Sequence, residues 1–212
     1  VGIKRDGSCT SVTFVDYDHD GDLDLYVTGG PRSSPEFVSP GQMWRNNGNS
    51  TFTDVSKETA LGFEGASGST VTDFNNDRAI DFVLAGGWKG AAILLNPREG
   101  AFKALEGIDF KKEGLPPAVG VVALDFDKDG WMDLAFTHAG APGISLWRNN
   151  EGKVLERVAL PDFGWKSGAG IAALDYDNDG WLDLVAVGES ASGGEVRLLR
   201  NLGAGKFADV TK

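Results

Sequence analysis

Asp175-Tyr176-Asp177-Asn178-Asp179-Gly180-Trp181-Leu182-Asp183 lies between two short apolar runs, residues 171–174 and 184–187. Carboxylates at loop positions 1, 3 and 5 can converge on one hard cation, and glycine at position 6 lets the chain turn sharply. Asp183, at position 9, closes such a cage. The pattern recurs at Asp16-Tyr17-Asp18-His19-Asp20-Gly21-Asp22-Leu23-Asp24 and at Asp125-Phe126-Asp127-Lys128-Asp129-Gly130-Trp131-Met132-Asp133. A degenerate copy runs from Asp73 to Asp81, with Asn75 at position 3, Asp77 at position 5 and Arg78 in place of the glycine. Four copies define a repeat, which governs every other reading.

The first aspartates fall at 16, 73, 125 and 175, a period of 50 to 57 residues. That length suits a propeller blade, a four-stranded antiparallel sheet. Strands are expected at 11–15, 23–28, 42–46 and 52–55 in the first repeat. In the second they are expected at 69–72, 80–85, 91–96 and 101–105. The third has 119–124, 132–137, 144–149 and 153–158, and the fourth 170–174, 182–187, 195–201 and 206–210. Asn47-Gly48-Asn49-Ser50 is hairpin chemistry between third and fourth strands. Third strands end alike, as Trp44-Arg45-Asn46-Asn47, Trp147-Arg148-Asn149-Asn150 and Leu199-Arg200-Asn201. Helix-period stretches are absent apart from one short turn near 57–61. The small residues of the first strands place those strands innermost in a propeller, where backbones crowd. The expectation is an all-β β-propeller segment over 1–212, with blade repeats at about 1–61, 62–110, 111–162 and 163–212.

Composition agrees. The chain has 212 residues, 41% hydrophobic and 24% charged, with 30 glycines for many turns. Its net charge of -11 does not mark a basic-partner surface, because 16 of the 31 acidic residues sit in the four loops. Outside the loops, 18 Lys and Arg outnumber 15 acids. No basic stripe with stacking aromatics argues for nucleic acid, and no apolar run of about eighteen residues spans a membrane. Cys9, the single cysteine, forms no internal disulfide and no cysteine-based zinc site. The chain opens at Val1 without a basic, apolar leader, which reads as a processed product or a piece of something longer.

Asp-x-Asp-x-Asp-Gly-x-x-Asp-Leu on this period resembles the FG-GAP/VCBS repeats of integrin alpha-chain propellers and of many secreted bacterial proteins. Gly140-Ala141-Pro142 and Phe163-Gly164 supply the literal motif. The run from Leu199 to Val210 resembles the cartilage acidic protein and UnbV group. The resemblance implies a complete wheel of about seven blades, of which four are present here.

The loop chemistry favours Ca2+ at about three sites. An EF-hand shares the opening spacing but ends in Glu at position 12 between helices, whereas here strands flank an Asp at position 9. The ligand set read from the sequence is Asp16, Asp18, Asp20, Asp22 and Asp24; Asp125, Asp127, Asp129, the Trp131 carbonyl and Asp133; and Asp175, Asp177, Asp179, the Trp181 carbonyl and Asp183. Asp73, Asn75, Asp77 and Asp81 form a weak or metal-free copy, with Arg78 as an internal cation. Magnesium, which keeps its waters, suits such a cage less. Abundant calcium points to an extracellular, periplasmic or cell-surface location.

Alternating strand direction puts the acidic hairpins at one end of each blade and the second-to-third-strand loops at the other. Candidate ligand-binding residues there are Arg32, Trp88, Lys89, Trp165 and Lys166, although the wedge between blades is the favoured reading of Trp88 and of Trp165. Trp44 and Trp147 read as core. The expected role is protein–protein or adhesion-type binding. The alternatives are a carbohydrate-binding, lectin-like propeller and a non-catalytic accessory domain of a larger secreted enzyme. Self-association or further blades would complete the propeller. His19 and His138 lack a catalytic motif around them, so no enzyme is expected.

Overall fold

The computed structural model describes residues 2–4, 7–30, 39–86, 90–98, 100–108 and 110–211, with the backbone alone at 111 and 112. It is all-β and contains four four-stranded antiparallel sheets of propeller-blade type, each ordered as the strands follow in the chain. Sheet one is β1 (Cys9–Val15), β2 (Asp24–Gly29), β3 (Gln42–Asn46) and β4 (Phe52–Asp54); sheet two is β5 (Ala66–Thr72), β6 (Asp81–Gly86), β7 (Ala92–Leu95) and β8 (Lys103–Ala104). Sheet three is β9 (Ala118–Leu124), β10 (Asp133–His138), β11 (Ile144–Asn150) and β12 (Val154–Val158). Sheet four is β13 (Ser167–Leu174), β14 (Asp183–Ser190), β15 (Gly193–Asn201) and β16 (Phe207–Asp209). The expected short turn is a helix, α1 (Ser56–Thr59), and a 3-10 turn at Phe110–Glu113 has no counterpart in the sequence reading.

First strands run several residues further back than alternation predicts in sheets two and four. Register shifts at Ala66/Gly68 and Gly168/Gly170 explain this, because a bulge breaks the period of two while pairing continues on either side.

The chain forms two compact units. The first comprises 1–73 with 77–106, the second 74–76 with 107–212. In the first, Tyr26, Met43 and Val15 of sheet one pack against Phe82, Leu84 and Leu94 of sheet two. Tyr26 meets Phe82 edge-on, ring centroids 4.8 Å apart, a geometry that favours aromatic pairs beyond their buried area. Thr13 and Ser69 hydroxyls lie 2.7 Å apart and tie β1 to β5. In the second unit, Leu124, Phe126, Ala135 and Leu146 of sheet three pack against Leu184, Ala186, Leu199 and Phe207 of sheet four. Trp44 and Trp147 are buried, as expected of core residues. Phe110 lies edge-on to both Trp147 and Phe136, at 5.5 and 5.3 Å.

Candidate metal centre

Each acidic loop is a turn held by its own carboxylates. At position 1, Asp16 accepts the amides of Asp20 and Gly21, both at 3.1 Å. Asp125 and Asp175 do the same for the amides at positions 5 and 6. Position 5 caps the next step: Asp20, Asp129 and Asp179 accept the amides of Asp22, Trp131 and Trp181. Two residues per loop take positive φ, those at position 4 and those at position 6, where Gly21, Gly130 and Gly180 stand at 93°, 87° and 85°. Glycine meets that demand without strain.

Position 9 is the anchor. Asp24, Asp133 and Asp183 are fully buried. Each accepts the amide of the position-2 residue and that of the third-strand asparagine. For Asp183 the donors are Tyr176 at 3.1 Å and Asn201 at 2.7 Å. Burial, against the pull of these amides, pushes the Asp24 carboxyl up to about 6 and that of Asp133 to about 7.

Three of the sequence-read positions converge on a point. Asp16, Asp18 and Asp24 form one triad, Asp125, Asp127 and Asp133 a second, and Asp175, Asp177 and Asp183 a third, one oxygen from each lying within 4.8 Å of the others. Asp20, Asp129 and Asp179 at position 5, and Asp22 at position 7, stand outside the triads. At an effective dielectric of about 20, two charges that close repel by at least about 3.5 kcal/mol. One buried oxygen each of Asp18 and Asp127, Oδ1, has no hydrogen-bond partner. An all-oxygen donor set with an unsatisfied buried carboxylate oxygen fits a hard divalent cation such as calcium.

Two of the three arginines that rhyme at the third-strand ends reach these triads. Arg148 Nε stands 2.6 Å from Asp127 Oδ2, and Arg200 Nη2 stands 2.7 Å from Asp177 Oδ2 and 3.1 Å from Asp179 Oδ2. The rhyme was visible in the sequence, but its partner was not, because Arg148 and Asp127 are joined only through the pairing of β9, β10 and β11. In sheet two both members change together: position 3 is Asn75, and the residue before the strand-ending Asn96 is Leu95.

The second loop keeps the same turn. Asp73 accepts the amides of Asp77 and Arg78 at 2.9 and 2.8 Å, and Arg78 holds φ 70 where the others have glycine. Arg98, which the sequence reading missed, donates its guanidinium to the Asp77 carbonyl. Asp73, Asn75, Asp77 and Asp81 thus preserve the loop with one fewer carboxylate at the converging positions.

The asparagine of the strand end does more than cap. Asn201 Nδ2 donates to the Leu182 carbonyl of its own loop at 3.1 Å and to the Phe126 carbonyl, at position 2 of the third loop, at 2.7 Å. Asn149 donates in the same way to Met132 and Phe74. In the first unit Asn96 donates to Ile80 and, across to sheet one, to Tyr17 at 2.9 Å. The repeated acidic loop is therefore also the joint between neighbouring sheets.

This loop and its strands coincide with a known family model. The FG-GAP-like repeat model matches residues 73–136 and 125–186, together more than half of the chain. The chain belongs to the FG-GAP-like repeat family. It is also 28% identical over 113 residues to cartilage acidic protein 1 of Xenopus tropicalis, a match covering 51% of this chain and 17% of that protein. The chain thus spans only a small part of the curated relative it matches.

The FG-GAP scaffold removes one expected ligand-binding residue. Trp165 is 2% exposed, packs in the second unit's core with Phe163, and donates its Nε1 proton to Glu195 at 3.1 Å. It is a core residue, so no ring face is free to stack on a ligand. Lys166 is exposed, its amide bonded to the Glu189 carbonyl. Arg32, Trp88 and Lys89 lie outside the described residues. Trp131 and Trp181 stand over the turns after their third strands, beside Gly152 and Gly203, and Lys128 Nζ lies 4.1 Å from the Trp181 ring. His138 is buried and kept neutral by that burial. Its Nδ1–H donates to the Pro116 carbonyl, while Nε2 receives the Ser145 hydroxyl, which accepts from Trp147 Nε1. Among the described residues, no helix is long and apolar enough to cross a membrane.

Proposed function

We propose that this FG-GAP chain is a calcium-stabilised scaffold for protein recognition, working outside the cytoplasm where calcium is abundant. The observation that carries the reading is the threefold recurrence of one triad, positions 1, 3 and 9, with buried carboxylate oxygens lacking partners in two of its copies. A calcium ion at each would be held by Asp16, Asp18 and Asp24, by Asp125, Asp127 and Asp133, and by Asp175, Asp177 and Asp183. It would offset the repulsion within the triad and fasten both strands of the hairpin to the third strand through the position-9 carboxylate. Extracellular calcium modules bind at about 10⁻⁴ to 10⁻³ M. A ligand at about a hundred times its dissociation constant adds about 2.7 kcal/mol, large against a fold stable by about 5–15 kcal/mol.

The opposite loop ends are the recognition surface in this reading. Asn46 and Gly48 lie at Asp24 and Asp22, so the turn after β3 shares an end with the acidic loop. Alternating strand direction assigns the connections between second and third strands to the other end; the sequence-read candidates Arg32, Trp88 and Lys89 fall in those connections of the sequence, and loops on a rigid scaffold are suited to binding. No catalytic step forms part of the proposal.

Calorimetric titration of the chelated protein tests it. Calcium should bind to about three sites with a rise in melting temperature, magnesium should do so more weakly, and Asp127→Asn should remove one site. A calcium titration without heat and without thermal stabilisation would refute the reading.

A further inference from the structure

Sheet three carries a cleft that the acidic loops do not use. It opens beside the last residues of β12 and has a volume of about 390 Å³, within the range of small-ligand sites, about 300–1,000 Å³. Pro142, on its wall, belongs to the connection between β10 and β11, so the cleft lies at the end of the sheet away from the acidic loop.

Both faces of the sheet contribute to it. Leu146 pairs with Val158, and Trp147 with Arg157; residues directly opposite share a face, and successive ones alternate. Val158 and Ile144 therefore line the cleft from the face that packs into the core, and Arg157 and Ser145 from the other. Phe163, from the connector that leads to β13, adds an apolar wall. The polar groups differ in what they have left to offer. Ser145 is taken up by His138 and Trp147, and Asp162 accepts the Gly164 amide at 2.9 Å. Arg157 is exposed and, among the described residues, makes no ion pair. Burial, chiefly, and the charge of Arg157 lower the pKa of His138 against the upward pull of the Pro116 carbonyl, which agrees with a guanidinium on the Ser145 side of the sheet.

The edge next to the cleft is open. Among the described residues β12 pairs with β11 alone, and none of its main-chain groups bonds outside the sheet. Its five residues exceed the three of β4 and the two of β8, the outer strands of sheets one and two. Shortness protects an edge strand from stray pairing, and β12 lacks that protection. It carries instead the exposed charges of Glu156 and Arg157, which discourage indiscriminate pairing and favour a strand of complementary charge.

We propose that β12 and the cleft form one docking site for an extended peptide segment of a partner protein. The segment adds to the sheet as a fifth strand, sets an acidic side chain opposite Arg157 and drops an apolar side chain into the cleft. An added strand advances about 3.4 Å per residue, so one that pairs along β12 runs on past Val158 and over the cleft. Main-chain bonds supply affinity, while Arg157 and the cleft supply selection. The inference rests on the reading of the chain as a protein-recognition scaffold and narrows it; it needs no bound ion.

A positional-scanning library of short acetylated and amidated peptides, titrated against the 212-residue chain, tests it. Selected peptides should carry Asp or Glu close to a large apolar residue. On binding, alternate amides of 154–158 should gain protection from hydrogen exchange by about tenfold or more. Arg157→Glu should weaken the acidic peptides about tenfold and turn the selection at that place to Lys or Arg. Ala159→Trp, at an exposed position on the cleft wall, should remove the apolar preference. Unchanged circular dichroism will show that both variants fold. Calcium titration of the same samples reports on the metal sites separately, so failure of the docking site leaves that part of the reading standing. A library that selects nothing, a selection that Arg157→Glu leaves unchanged, or binding that leaves the β12 amides unprotected would each overturn the proposal.

Discussion

Arg148 and Arg200 occupy a double role at the position-3 carboxylates. Each offsets a charge that would otherwise face two others within 4.8 Å, yet each also sets a fixed cation beside the place where a divalent one would sit. The second loop shows the alternative, since loss of the carboxylate at Asn75 goes with loss of the arginine at Leu95. Arg148→Leu, which copies Leu95 of the third strand of sheet two, should therefore separate the two roles. In chelator the variant should melt at a lower temperature than wild type, because Asp127 loses its counter-ion. With calcium it should bind more tightly at the third loop, by about threefold to tenfold, because a like charge has gone; roughly 1 kcal/mol is a reasonable size for a partly screened charge at this distance. Paired melting curves and calorimetry check both signs. Weaker calcium binding in the variant would mean that the arginine positions Asp127 rather than competing for it.

At the level of the loop and its strands, backbone geometry and ligand set come apart. Arg78 holds φ 70 at the position occupied elsewhere by glycine, and a side chain in that region costs about 1 kcal/mol. Arg78→Gly should raise stability by about that amount in urea unfolding, without creating a calcium site, because Asn75 still withholds the position-3 carboxylate. A destabilised variant would indicate that the Arg78 guanidinium contributes more than its backbone strain costs. The same separation explains what the sequence could convey. Aspartate spacing and the period of 50 to 57 residues sufficed for the strand order and for the converging positions 1, 3 and 9, since both depend on contacts inside one hairpin. The division between position 5, which caps an amide, and position 3, which faces the triad, was hidden because both are aspartates at alternate places. Trp165 was readable both as a ligand-binding candidate and as a packed wedge, because a connector between sheets looks the same whether its aromatic turns outward or, as here, into the core. The bulges at Gly68 and Gly168 likewise left no periodic trace. The asparagine amides that join sheets escaped notice because their acceptors are backbone carbonyls about 75 residues away, and a carbonyl has no letter of its own.

Across the whole chain, the triads are unevenly shared, and calcium should act unevenly in consequence. The first unit holds one triad, at Asp16, with Asp73 and residues 77–81 of the degenerate loop; the second holds two triads, at Asp125 and Asp175. Each triad includes a buried position-9 aspartate that binds the amide of a third-strand asparagine, and in the second unit both asparagines, Asn149 and Asn201, go on to a carbonyl of another loop. Removing the cation at the third loop leaves the buried carboxylate of Asp133 in competition between staying charged to hold its amides and taking up a proton, which weakens it as an acceptor. Hydrogen exchange with and without chelator should register the difference as local opening. Amides in 125–133 and 175–183, together with those of Asn149 and Asn201, should lose protection on chelation by roughly tenfold to a hundredfold, the equivalent of about 1.4–2.7 kcal/mol. The stretch 73–81 and the Asn96 amide should change little, because that loop is already held by Asp73, Asp77 and Arg98. Equal loss of protection in all four loops would mean that calcium stabilises the chain as one cooperative body, and that the degenerate loop depends on its neighbours' metal rather than on its own caps.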